Sequence, residues 1–394
     1  MRFIHTSDWH VGRTIRSRSR MDEHRAVFAE IVDIAKQEQV DAVLVTGDIF
    51  HERRPPIAAE ELVAHTLAEL ARANIVSVLI PGNHDDAARL RTLKPLGDLL
   101  QVHIIADLSE DPTDLIIPIR DRVQKEQALV SCLPYLHPHQ VLTAAEGTGK
   151  SENERLSTYQ SKVQDYLRML EETMLQMDKE AVSICMAHAH ISGTEFGGGE
   201  WRSSVFPIDP GILPSRVHYV ALGHMHEPQK VAGTNAQTRY AGSILQMDFG
   251  ERGQQKSVCL IDAHPGKPAE VSQIALTKGR SLLRRTGTAE EILSQVQEFA
   301  NAWVEVVLKS EGQTPELIDH IRALPGVVSL RFEEKQSSDS ESGSVAVPRP
   351  HDRPAAELFT EYYKIRRNAE PEPQLIALFE RLYREVSTAS DDPV

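Results

Sequence analysis

Ala42-Val43-Leu44-Val45-Thr46-Gly47-Asp48-Ile49-Phe50-His51 is a short, mostly β-branched run that breaks at a glycine and opens at once into carboxylate, aromatic and imidazole. Five consecutive residues of this kind have the length and composition of a strand buried on both faces. The same grammar recurs on either side. Phe3-Ile4-His5-Thr6 leads into Asp8-Trp9-His10, and Val76-Ser77-Val78-Leu79-Ile80 leads into Gly82-Asn83-His84-Asp85. Val27, Phe28, Ile31, Val32 and Ala35 between the first two runs, and Leu62, Val63, Thr66, Leu67 and Leu70 between the second and third, have the spacing of a single buried helical stripe. Strand, helix, strand, helix, strand implies a largely parallel sheet covered by helices.

Farther along, a third amphipathic helix is expected from Leu156 to Met174, through Tyr159, Val163, Tyr166, Leu167 and Leu170. Two more strands, Val182 to Met186 and His218 to Leu222, run into His188-Ala189-His190 and Gly223-His224-Met225-His226. Thr238 to Ile244, Ser257 to Ile261 and Val271 to Leu276 read as strands of a second sheet or an edge. Past residue 277 the pattern changes to a small βαβ-type module. Thr288 and Glu291 form a capping box ahead of Ile292, Val296 and Phe299, Trp303 to Leu308 is a strand, Thr314-Pro315 opens a helix through Ile318 and Ile321, and Val327 to Phe332 closes it.

The stretch KQSSDSESGSVAVPRPHDRP has the composition of a linker. Leu358, Phe359, Tyr362 and Tyr363, then Leu375, Ile376, Phe379, Leu382, Tyr383 and Val386, mark two apolar helices beyond it. Helices on the far side of a linker are read as docking onto a partner protein, against the alternative of a hairpin folding back on its own domain. The expected division is 1–276 for the main domain, 277–335 for the small α+β cap, 336–354 for the linker and 355–394 for the C-terminal helices.

Composition narrows the function. The chain has 394 residues, 43 Lys and Arg against 57 Asp and Glu, and a formal charge of −14. So acidic a chain does not coat itself with polyanion by bulk attraction, and a nucleic-acid ligand would need a local basic site or metal ions. Cys132, Cys185 and Cys259 are odd in number and lack CxxC spacing, which supports neither a disulfide framework nor a cysteine zinc site. The start MRFIHTSDWH has no apolar signal region and no run reaches the length of a membrane span, so the expectation is a soluble protein of a reducing, cytoplasmic compartment.

Each polar cluster alone would pass for a turn, a cap or a hydrogen-bonded core histidine. Five of them at five strand ends point to one site, because open α/β sheets bind ligands beyond the carboxyl ends of their strands. Carboxylates, imidazoles and one amide oxygen without thiolate favour Mn²⁺, Fe²⁺ or Zn²⁺. They are too many for one ion. Two ions roughly 3.5–4 Å apart, sharing a carboxylate, would use them and would clamp a phosphoryl group, which is the chemistry of phosphoester hydrolysis.

The ordered set DxH, GDxxH, GNHD, H and GHxH from Asp8 to His226 resembles the metallophosphoesterase (calcineurin-like) superfamily. His51, where many phosphatases of that superfamily have Asp, together with the appended module and tail, resembles its DNA double-strand-break repair nuclease branch. The fold implied is an α/β sheet sandwich flanked by helices, with a small α+β cap and a C-terminal helical tail. The resemblance implies one metal held by Asp8, His10, Asp48 and His226 and a second by Asp48, Asn83, His188 and His224, with Asp48 shared. His190 competes with His188. His84 would be the catalytic histidine and His51 would help to position the phosphate. Asp85 would either orient His84 or cap the turn. The branch further implies two Mn²⁺, with Mg²⁺, Fe²⁺ or Zn²⁺ as alternatives, and 3′-to-5′ exonuclease and endonuclease action on DNA ends and hairpins. It also implies a homodimer of nuclease subunits and an SMC-like ATPase bound by the C-terminal helices.

Arg13, Arg16, Arg18 and Arg20 follow the first motif and are the expected grip on the DNA backbone, the alternative being a solvated loop paired with Asp22 and Glu23. Ala144 to Ser151 ends like a P-loop but has Ala144 where the first glycine belongs, so no ATP is expected on this chain. Two other functions fit the same residues: a phosphoesterase for nucleotides or cyclic nucleotides, and a non-catalytic scaffold.

Overall fold

In the computed structural model, the described residues are 1–97, 100–142, 150–195, 197–198, 206–309 and 314–333, and in the C-terminal segment 356, 359–360, 363–364, 370–373 and 375–379. The chain forms two units, Met1–Glu333 and Glu334–Val394.

The first unit is built on two six-stranded sheets. One has the spatial order Glu270–Ala275, Ser257–Asp262, Arg2–Thr6, Ala42–Thr46, Val76–Ile80, Val102–Ile104. Its last four strands are parallel and Ser257–Asp262 runs antiparallel beside Arg2–Thr6. The other has the order Gln229–Lys230, Gln237–Tyr240, Tyr219–Gly223, Val182–His188, Gln127–Leu133, Ile116–Arg120. Strand alternation decides what goes where. Phe3, Leu44, Val78 and Ile80 join the core shared with the second sheet, which includes Cys132, Ile184 and Tyr219. Their neighbours Ile4, Val43, Val45 and Leu79 point the other way, onto Phe28 and Ile31 of the helix Met21–Gln37 and Leu62 and Leu70 of the helix Ile57–Arg72. Both faces are covered, so nothing polar is needed along the run.

Tyr159, Val163, Leu167 and Leu170 of the helix Glu152–Met177 cover the second sheet. That helix starts four residues earlier than its apolar stripe suggests. Ser151 supplies the reason, accepting the Glu154 amide while the Glu154 carboxylate takes the Ser151 amide at 2.8 Å. Ser151 is thus a helix cap; residues 144–149 of the P-loop-like stretch lie outside the described residues. Two strands that the sequence did not announce, Ile116–Arg120 and Gln127–Leu133, form an antiparallel hairpin whose outer strand tolerates Pro118 at the sheet edge. The strand expected over Thr238 to Ile244 is Gln237–Tyr240 instead. It stops before Gly242, where φ is 79° and a side chain would run into Pro228 and the His226 carbonyl.

Residues Ser281–Gly287, Ala302–Leu308 and Val327–Phe332 form a parallel three-stranded sheet with its own core of Ile292, Phe299, Val304, Val306 and Ile321. Its two helices, Ala289–Ser294 and Pro315–Ala323, are capped by Thr288, in a reciprocal box with Glu291, and by Thr314. The small sheet is pinned to the main body by a buried carboxylate. Glu23 accepts the Trp303 indole N–H at 2.7 Å and the Arg280 amide at 2.9 Å, and Arg20 binds both of its oxygens.

In the second unit, Phe359 stacks on Phe379 with ring centroids 4.3 Å apart and 9° between planes. Leu358, Tyr362, Leu382, Tyr383 and Val386, like the linker 336–354, lie outside the described residues. No helix among the described residues is long and apolar enough to cross a membrane.

Candidate metal centre

Parallel register brings the polar clusters to one edge. Thr6 pairs with Val45, Thr46 with Ile80, and His188 with Gly223, so all five strands release their chains on the same side. The loops are then tied to each other. The Asp8 amide donates to the Gly47 carbonyl at 3.0 Å, the His10 amide to the Asp48 carbonyl at 2.9 Å, the His84 amide to Asp48 Oδ1 at 2.9 Å and the His224 amide to the Asp8 carboxylate at 3.1 Å. Asp8, His10, Asp48 and His224 all have positive φ (49°, 45°, 50° and 104°), a backbone state that residues with a Cβ adopt only when the surroundings impose it. Gly47 and Gly223 permit the crowding: a Cβ on the first would lie 2.3 Å from His188 Nδ1, and on the second 1.8 Å from the Thr46 carbonyl oxygen.

Three groups of side chains bring ligand atoms within 4.8 Å of one another: Asp8, His10 and His226; Asp48, His188 and His224; and His10, His51 and His84. Asp48 Oδ2 lies between the first two groups, 3.5 Å from His10 Nε2 and 3.6 Å from His188 Nε2. Asn83 Oδ1 is 3.1 Å from His188 Nε2 and 2.9 Å from His224 Nδ1. His10 Nε2 and His226 Nε2 are 3.1 Å apart. Ligands at roughly 2.0–2.2 Å from a common ion are separated by about this much.

The fit to a divalent ion shows in which donors are crowded together. His10 Nε2 meets His226 Nε2 at 3.1 Å, and His188 Nε2 and His224 Nδ1 converge on the single Asn83 Oδ1, an arrangement of ring nitrogens and oxygen that a shared cation satisfies. Burial, then the neighbouring imidazoles, holds His10 and His224 well below the usual histidine range and so in the neutral form that ligates metal. Two of the rings are anchored from behind, as ligating imidazoles require. His188 Nδ1 donates to the Thr46 carbonyl at 2.7 Å, and His226 Nδ1 pairs with Glu251 Oε1 at 2.7 Å. The residues therefore fit divalent metal.

His84 lies beside this cluster. Its Nδ1 contacts the His51 carbonyl at 2.8 Å, its ring stacks on His51 at 5.5 Å and stands edge-on to His10 at 4.8 Å. Of the two roles expected for Asp85, orienting His84 is corrected in favour of capping the turn: its oxygens accept the amides of Gly82 (2.8 Å), Ile49 (3.1 Å) and Phe50 (2.9 Å), which also ties the turn to the Asp48 loop. His190, the rival to His188, is outside the three groups, with its ring 6.4 Å from His224.

Two of the four arginines expected to grip DNA are also corrected. Arg20 is 1% exposed, and its guanidinium is spent on Glu23 and the Gln246 carbonyl. Arg13 is buried with Nε on the Met247 carbonyl at 3.2 Å. Arg16 and Arg18 are exposed on the hairpin formed by Thr14–Ile15 and Arg18–Ser19, with Arg16 3.7 Å from Glu305.

Sequence reasoning missed Glu251, Lys256 and Tyr135. Glu251 is fully buried between His226 and Lys256 Nζ, the latter at 2.7 Å; no spacing rule marks a carboxylate 25 residues beyond its histidine. Burial would raise the Glu251 carboxyl, but His226 and Lys256 hold it below the ordinary range. Tyr135 follows a strand that was not anticipated, and its ring lies 5.8 Å from His188 and 6.3 Å from His224.

Residues 1–228 match the family described as calcineurin-like phosphoesterase. The chain is 32% identical to SbcD of the SbcCD nuclease of Bacillus subtilis, over 96% of this chain and 97% of that protein. It belongs to the SbcD nuclease family. The SbcD of Rhodobacter capsulatus is 34% identical over 76% of each chain. A crystal structure of a dimetal phosphatase from Danio rerio aligns with 13% identity and a TM-score of 0.39, over 70% of this chain and 99% of that one. As a member of the SbcD family and a calcineurin-like phosphoesterase, the chain is a hydrolytic nuclease that uses divalent metal.

Proposed function

We propose that this chain cuts DNA as the nuclease subunit of a repair and recombination complex, with two Mn²⁺ as its ions. Asp8, His10, Asp48 and His226 would hold one ion, and Asp48, Asn83, His188 and His224 the other. The observation that carries this reading is Asp48 Oδ2, which faces His10 on one side and His188 on the other at nearly equal distances. When bound, such a pair supplies Lewis-acid charge for a phosphodiester and acidifies water. The chain's own contribution is orientation and a proton. With Nδ1 held at the His51 carbonyl, the remaining nitrogen of His84 serves the oxygen that leaves, a role suited to an imidazole near neutral pH. His51, stacked on it, positions the phosphate.

The reading extends to 3′-to-5′ exonuclease and endonuclease action on ends and hairpins, and to a homodimer of nuclease subunits. It also extends to capture of the SMC-like ATPase SbcC by the C-terminal helices of residues 355–394. Residues 1–276 form the nuclease domain in this scheme, 277–335 the cap and 336–354 the linker. Arg16 and Arg18 remain as backbone contacts. The test compares Mn²⁺-dependent cleavage of linear DNA with hydrolysis of a small aryl phosphodiester. Cleavage of both is expected, and activity confined to the small ester would overturn the nuclease reading.

A further inference from the structure

The amide of Leu282, on the first strand of the small sheet, donates to Gln246 Oε1 at 2.7 Å, and Gln246 Nε2 donates to the Gln254 carbonyl at 2.8 Å. Gln254 Oε1 in turn accepts Lys256 Nζ at 2.8 Å, and the same ammonium reaches Glu251 Oε2 at 2.7 Å. Glu251 Oε1 meets His226 Nδ1, which leaves the His226 Nε2 facing His10. A second route starts from the same sheet. The Trp303 indole and the Arg280 amide bind Glu23, Glu23 binds Arg20, and Arg20 Nη1 donates to the Gln246 carbonyl. The next residue, Met247, gives its amide to Glu251 Oε2 at 3.0 Å. Both routes pass through Gln246 and both end on Glu251.

These links have little slack. Lys256 is buried, and its three N–H donors meet three acceptors within 2.8 Å: Glu251, Gln254 and the His226 carbonyl. Gln246 and Glu251 are buried as well, so a broken bond leaves a polar group without water to replace its partner. Apolar packing covers only part of the same seam. Ile15 and Phe249 join Leu282 in a small cluster, and a cavity of about 290 Å³ opens among Gln246, Gln254, Lys256, Leu276, Arg280 and Ser281. The polar chain along the wall of that cavity therefore carries the register between the two bodies. The second group of ligands is anchored elsewhere. His188 Nδ1 rests on the Thr46 carbonyl, Thr46 Oγ1 on His5 and His5 on the Tyr219 hydroxyl, all within the two large sheets.

We propose that Gln246 is a positioning residue through which the seating of the small sheet sets the affinity of the ion at His226, and not that of the ion at Asn83, His188 and His224. The inference rests on the two-ion reading. A displacement of Leu282 or Trp303 moves Gln246, Gln246 shifts Glu251, and Glu251 turns the His226 ring away from Asp8 and His10. Any ligand that pulls on the small sheet thereby empties one ion position and leaves the other filled.

The test measures the Mn²⁺ Kd of the full chain by competition with a fluorescent chelator. An Asn83→Ala background leaves the ion at His226, and an Asp8→Ala background leaves the other. Gln246→Met cuts the side-chain links, and Trp303→Phe removes the indole N–H that binds Glu23 while keeping a ring. In the Asn83→Ala background each should raise Kd about 3–30-fold, the size of effect that such networks carry. In the Asp8→Ala background both should leave it unchanged. Adding Trp303→Phe to Glu251→Gln, where the last link is already weakened, should give less than the product of the two separate effects. Ile321→Val thins the core of the small sheet but removes no link, and should leave both constants as they were. Equal weakening of the two ions, wild-type affinity in both Gln246→Met and Trp303→Phe, a full product in the double variant, or an Ile321→Val chain as impaired as Trp303→Phe would each overturn the proposal. A wild-type chain that takes up fewer than two Mn²⁺ is a different failure, since it removes the two-ion reading before any variant is made.

Discussion

Which nitrogen of His226 faces Asp8 and His10 is decided by a residue that touches neither, because Glu251 takes Nδ1 at 2.7 Å and turns Nε2 inward. Lys256 and the Met247 amide hold Glu251 in place. Removing its charge loosens the ring's orientation and leaves Lys256 buried without its counter-ion. Glu251→Gln is accordingly expected to weaken divalent-metal binding by about 10–100-fold, measured by competition with a fluorescent chelator; unchanged affinity would show that His226 needs no such anchor. His84 is the converse case. It touches the cluster through a ring edge and its amide, and its side chain is anchored outside it. His84→Ala should keep both ions, counted by elemental analysis, while cleavage falls by about 10²–10⁴-fold, the usual worth of a positioned proton donor. Metal loss in that variant would make His84 a ligand.

At the level of elements, the strands and the residues at their carboxyl ends were legible because burial on two faces leaves a continuous apolar run whose end is abrupt. The same logic failed for Ile116–Arg120, where an edge strand carries Pro118, and for Arg20, whose partner Glu23 becomes a buried acceptor only once Trp303 arrives from 280 residues away. Burial raises the Glu23 carboxyl, but Arg20, Trp303 and the Arg280 amide bring it below its ordinary value. Glu23→Ala strands a buried guanidinium and unpins the small sheet, and should cost about 3–5 kcal/mol in denaturant unfolding. Arg16→Ala, which removes an exposed side chain 3.7 Å from Glu305 and leaves that buried carboxylate paired with Arg284 and Arg331, should cost less than about 1 kcal/mol. Equal effects would remove the distinction drawn between the two. His5 joins the two large sheets, with Nδ1 3.0 Å from the Tyr219 hydroxyl and Nε2 3.0 Å from Thr46 Oγ1. Burial drives its pKa to about 3, from 6.5 in a free chain. Between these values the unfolded chain binds the proton and the folded one does not, so the stability His5 confers is complete above pH 6.5 and drains away on acidification toward pH 3. The Tm of the wild type should therefore fall more steeply than that of His5→Gln as pH is lowered through this window, and parallel curves would contradict it.

For the whole molecule, a formal charge of −14 and a phosphodiester substrate are reconciled by placing the positive charge in the metal centre and in a few exposed arginines, not over the surface. That arrangement makes the chain a poor collector of DNA by itself and gives the C-terminal segment its purpose under the proposed function. Met1–Glu333 contains both large sheets, the small sheet and the entire imidazole cluster, and it has its own apolar cores. The remaining residues contribute a stacked pair, Phe359 on Phe379, with Leu378 41% exposed beside it. Apolar side chains on short helices after a linker favour a partner's groove. Deleting residues 355–394 should leave metal binding and hydrolysis of a small aryl phosphodiester unchanged, within the scatter of the assay, because no ligand or anchoring residue is lost. The same deletion should abolish co-purification with the SMC-like ATPase. Recovery of the truncated chain with that ATPase would relocate the docking surface to the first 354 residues, and loss of metal binding would mean that the first unit depends on the tail for its fold.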